Sequence, residues 1–149
     1  MKTLYNPAVA AEVKSRLAAL TPATPPLWGK MTAPQAVAHC CAALQVPLGD
    51  AKPKRVFIGR VLGPIFKPVL TNEKEFGKNA PTDPSFIVTG DRDLNAERAR
   101  LSTLIDRFVA MGTAGCSRHP HSFFGPLTAT EWGIGMYKHL DHHLRQFGV

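Results

Sequence analysis

Histidine is the chemically informative residue type in this chain. Three of its six histidines fall in the last nineteen residues, Glu131 to Val149, EWGIGMYKHLDHHLRQFGV. Read as a helix, that stretch places His139 and His143 about 40° apart around the axis and about 6 Å apart along it. The two rings therefore point the same way, one turn above the other. With His139 at zero, Trp132, Met136, Leu140 and Phe147 fall between about 20° and 100° on the same wheel, so both histidines lie inside the apolar stripe. His142 turns instead toward the edge shared with Lys138, Arg145 and Glu131. A pair of imidazoles four residues apart on a core-facing stripe is what one helix contributes to a metal site inside a bundle.

A third imidazole comes from another helix. Thr32-x-x-Gln35 is a capping box with Pro34 in the first turn, and it opens a helix over about Ala33 to Val46. His39 sits mid-helix, with Ala36 and Ala43 one turn either side and Ala42 beside them, small side chains that leave a hollow around the ring. Three neutral imidazoles on inward faces make a facial site with open positions for water or substrate. Such a site polarises a bound ligand or lowers the pKa of a bound water or thiol toward neutrality. Cys40 and Cys41 turn about 100° and 200° away from His39, which makes them small core residues and not nucleophiles at this site.

The elements that must carry these residues are helical. Asn6-Pro7 starts a first helix, about Pro7 to Ala19, with Val9, Val13, Leu17 and Leu20 at helical spacing. The proline-rich Thr21–Lys30 ends it, and Trp28 there is expected to plug the bundle end. Asp93 caps a third helix, about Leu94 to Met111, striped by Leu94, Leu101, Leu104, Ile105 and Phe108. Thr128-x-x-Glu131 is a second capping box and opens the fourth. Between the second and third helices, Val56–Leu70 is apolar at helical spacing but interrupted by Gly59, Gly63, Pro64 and Pro68, and reads as one or two short helices or turns. Thr71–Asp91 reads as a long ordered loop with a brief extended piece at Phe86–Val88. The expected fold is all-α, a single domain over 1–149.

The order of one histidine mid-helix two, then H-x-x-x-H in the last helix followed by Arg145 and Gln146, resembles the DinB/YfiT-like superfamily. More closely, HPHSFFGPLTATEWGIGMYKHLDHHLRQFG and WGKMTAPQAVAHC resemble a branch of it, a domain of unknown function. The resemblance implies a four-helix up-down-down-up bundle, with a long crossover between helices two and three carrying short extra helices. It implies a divalent metal, nickel, zinc or similar, on His39, His139 and His143. It also implies thiol-dependent transferase or hydrolase-like chemistry; the alternative is a non-catalytic bundle that binds metal or a small ligand. Around the open face, Gln35, four residues before His39, and His121 in the preceding loop are candidate substrate-binding residues. Tyr137 and Asp141 lie on other sides of the last helix and are not general bases. No catalytic residue is assigned.

Composition bounds the partners. The formal charge is +7, concentrated in Lys52, Lys54, Arg55, Arg60, Lys67, Lys74 and Lys78 against Glu73 and Glu75. That patch has no recognition helix and no nucleic-acid motif, so no specific nucleic acid is expected. The expected partner is a small-molecule substrate or low-molecular-weight thiol, with no membrane and with a homodimer as a further option. Three cysteines, an odd number without CxxC spacing, argue against a disulfide framework. With no apolar run fit for a signal peptide or a span, the expected location is cytoplasmic.

Overall fold

The computed structural model describes residues 1–80 and 82–149, and among them the secondary structure is helical, with no strand. Five α-helices follow in order: α1 (Pro7–Ala18), α2 (Ala33–Leu44), α3 (Phe57–Thr71), α4 (Leu94–Met111) and α5 (Ala129–Gln146). Each capping signal read in the sequence closes a helix. Asn6 accepts from the N–H groups of Ala8 and Val9, and Asp93 from Ala96. Thr32 with Gln35, and Thr128 with Glu131, form complete reciprocal boxes. Each satisfies backbone donors that the first turn of a helix leaves without partners.

One apolar cluster joins four of the helices: Val13 and Leu17 of α1, Val37, Cys41 and Leu44 of α2, Leu101, Ile105 and Phe108 of α4, Trp132, Met136 and Leu140 of α5. Burying each large side chain contributes about 1.5–3 kcal/mol. The stripe expected on the third helix is buried residue for residue on α4. α2 packs on both α4 and α5, and α1 also touches both.

Two expectations for the α2–α4 connection are corrected. Val56–Leu70 is not broken into short pieces; it holds one helix, α3, through Pro64 and Pro68. The two prolines sit one turn apart on the exposed side, so the carbonyls they leave without an N–H partner face solvent. The helix survives because its other side is clamped: Gly59 and Gly63 lie directly against the backbone of Phe123 and Phe124, where a Cβ would collide. The extended piece expected at Phe86–Val88 begins one residue later: Phe86 belongs to a helical turn and Ile87 is extended. Pro84–Phe86 is a single 3₁₀ turn, capped by Asp83 accepting from Ser85 N–H.

Trp28 is a third correction. It is half-buried and does not plug the core. It walls a cleft of about 300 Å³ with Phe76, Lys78 and His142, on the flank of α5 that carries Lys138, Asp141 and Arg145. Among the described residues no helix is long and apolar enough to cross a membrane.

Candidate metal centre

α2 and α5 bring His39, His139 and His143 together, as their phases require. The ring centroids form a near-equilateral triangle: 4.9 Å for His39–His139, 4.8 Å for His39–His143 and 4.7 Å for His139–His143. One ligating nitrogen from each lies within 4.8 Å of the others. Nε2 of His39 and Nε2 of His139 are 2.9 Å apart. Nitrogens bonded to one ion at about 2.0–2.1 Å in tetrahedral directions would be roughly 3.3 Å from each other, so small side-chain shifts suffice.

Partners on the far side of two rings fix which nitrogen faces the centre. Nδ1–H of His39 donates to the carbonyl of Phe86 at 2.8 Å. A carbonyl only accepts, so Nδ1 carries the proton and Nε2 keeps its lone pair. At His143 the partner is Gln146, whose Nε2 donates to the carbonyl of Trp28 at 2.8 Å. That bond sets the amide, leaving Oε1 to accept from Nδ1–H of His143 at 2.8 Å. His143 Nε2 is thereby left as the ligating atom. His139 then donates Nε2–H to Nε2 of His39, and that proton must move to Nδ1 before His139 can ligate.

Burial makes neutral rings the stable form. It lowers the pKa of His39, lowers that of His139 well below the ordinary 6.5, and brings that of His143 down to about 3. For His139 and His143 the neighbouring imidazoles add to the effect, because two cations cannot share the space. Three neutral imidazoles around one point, two of them with outer partners already in place, fit a divalent ion.

The other candidate residues are less free. Gln35 has both ends engaged: Oε1 accepts from Thr32 N–H at 3.1 Å and Nε2 donates to the carbonyl of Gly90 at 3.0 Å. His121 accepts at Nδ1 from the N–H groups of Phe123 and Phe124, at 3.0 and 3.3 Å, and holds a tight turn closed by the His121–Gly125 bridge. Packed on Phe124 and Trp132, its pKa falls to about 4 through burial. His142 leaves the cluster for the cleft, its ring 5.6 Å from Trp28 and 6.1 Å from Phe76. None of the three clustered imidazoles lines that cleft. Cys40 and Cys41 are buried, their thiols pushed up by desolvation, Cys41 to about 12.

Two supports were missed in the sequence. Gln146 was legible in principle, since it lies three residues after His143 on one helix face. Phe86 was not, because its contribution is a backbone carbonyl carried by a turn far along the chain.

Four helices around one core, with three imidazoles gathered between two of them, define a helical protein with a histidine-lined candidate metal centre. The chain belongs to the DUF1569 family, described as a protein of unknown function, whose model matches residues 12–148. No curated protein and no solved structure matches the chain.

Proposed function

We propose that His39, His139 and His143 hold a divalent metal, nickel, zinc or similar, and that the protein is a metal-dependent enzyme of the DinB/YfiT-like kind. Its substrate would be a small molecule or a low-molecular-weight thiol, in a transferase or hydrolase-like reaction. The observation that carries this is the pair of outer hydrogen bonds, Phe86 to His39 and Gln146 to His143, which occupy Nδ1 of both rings and leave both Nε2 atoms free to ligate. A metal on three neutral imidazoles keeps its full charge and supplies Lewis acidity, lowering the pKa of a bound water or thiol toward neutrality. The same kinship gives α1, α2, α4 and α5 an up-down-down-up order with α3 on the crossover. The packing of α2 and of α1 on both α4 and α5 supports a bundle built from these four helices.

A second reading, a bundle that binds metal or a small ligand without turnover, is favoured by one observation. The two polar side chains expected around the open face are both engaged: Gln35 at both ends, and Nδ1 of His121 by two backbone donors.

Elemental analysis of protein purified without added metal, and again after loading, tests the centre. We expect one equivalent of divalent ion in the parent and in His142→Ala, and none in His143→Ala or His39→Ala. Metal retained by His143→Ala but lost by His142→Ala would overturn the assignment. Metal-dependent consumption of a thiol or ester substrate, absent from His143→Ala, separates the enzyme from the binding protein.

A further inference from the structure

Helix α3 is amphipathic in the reverse sense. With Phe57 at zero, Pro64, Pro68, Val61, Ile65, Ile58 and Val69 fall between about −20° and 120°, while Gly59, Leu70 and Gly63 fall near 200–240°. The inner, buried side is thus two glycines and a leucine. The outer side is the strongly apolar one. Phe57 is 82% exposed, Ile65 68%, Val61 61% and Ile58 58%, with Phe66 and Val69 continuing the surface. An apolar stripe of this size turned to water marks a surface that something covers.

The charges around it select the covering partner. The only charged residues of α3 are Arg60 and Lys67, near 280–300° on the same wheel, and Lys52 and Lys54 precede its first turn. Lys67 pairs with Glu131 at 2.9 Å, but Lys52, Lys54 and Arg60 are exposed and form no ion pair among the described residues. A second copy laid on this face would find little acid to meet them: Glu75 is committed to Arg145, and Glu73 adjoins Lys74. Anionic lipid headgroups would meet them directly.

We infer that α3 is an interfacial docking helix, its apolar face entering the headgroup boundary of an anionic membrane surface while the flanking cations contact lipid phosphate or carboxylate. At 15 residues it is about 22 Å long, short of the roughly 30 Å hydrocarbon core, so it lies in the surface and does not cross it. The carbonyls freed by Pro64 and Pro68 require hydration, which also holds the helix at headgroup depth. The expectation of no membrane partner rests on the lack of an apolar run fit to span; the fold adds that the apolar side of this stretch faces out.

Flotation of the full chain with vesicles of phosphatidylcholine alone, or of phosphatidylcholine with phosphatidylserine, tests the inference, with sedimentation velocity alongside. We expect binding to the anionic vesicles, weakened by raised salt, and at least about tenfold weaker partition on neutral ones. Ile65→Glu, whose side chain touches solvent, should lose at least about tenfold of the binding with unchanged helical content. Lys52→Glu with Lys54→Glu, outside the helix, should lose it by charge alone. Absence of anionic-vesicle binding, or binding that neither change alters, overturns the inference. So does a concentration-dependent dimer that Ile65→Glu dissolves without any flotation, which would assign the face to a second copy.

Discussion

Gln146 does two things with one amide. By donating to the Trp28 carbonyl it holds the Trp28–Gly29 turn against α5, and by accepting from His143 it sets that ring's tautomer. The contact depends on Gly29, at φ 80°, where a Cβ would come within 2.7 Å of the amide nitrogen. Gln146→Leu should weaken metal binding about 10–100-fold in a chelator competition while leaving the helical circular dichroism unchanged. The proton balance at the rings gives a pH dependence. With their pKa values below 6.5, the three histidines bind fewer protons in the fold than in the unfolded chain. Chelator-treated protein should therefore lose stability as pH falls from about 6.5 toward 3, read as a falling urea midpoint, and show no such contribution above pH 7. The histidine triad was legible in the sequence because helix phase aims His39, His139 and His143 inward. The tautomers were not, since they rest on a carbonyl of Phe86 and an amide orientation.

At the scale of elements, the legible helices are those with a side-chain cap and a periodic stripe. The sequence places α4 to the residue at both ends, because Asp93 begins it and Gly112 ends it at φ 60°. Thr128→Ala, which removes the oxygen accepting Glu131 N–H, should cost about 0.5–2 kcal/mol by denaturant unfolding. α3 was misread for a physical reason. Proline and glycine inside a pattern normally signal a break, and here tertiary contact overrides that preference. Gly59 and Gly63 admit the 121–125 turn, and Gly135 of α5 admits Leu70 from the C-terminal end of α3. Gly63→Leu should lift α3 from this seat, seen as increased amide exchange across Phe57–Thr71, with exchange across α4 unchanged.

For the molecule as a whole, the charge of +7 is not an undivided field. Several cations are committed: Arg16 to Asp141, Lys14 to Asp106 and Arg107 to Asp50, each at 2.7 Å. We expect association with DNA to be weak, to show no sequence preference, and to vanish at physiological salt in a filter-binding titration, since phosphate contacts alone are steeply salt-dependent.

The connection from Asn72 to Asp93 supplies the carbonyl of Phe86 to His39 and that of Gly90 to Gln35. It is therefore a clasp across α2, fastened partly through a ring that ligates the proposed ion. An ion on Nε2 makes Nδ1–H of the same ring a stronger donor, which tightens the clasp onto the helix. Metal loading should then be visible to a protease as well as to a chelator. Cleavage within the connection should be slower in loaded than in chelator-treated protein. A nick there should speed release of the ion while the four core helices stay associated.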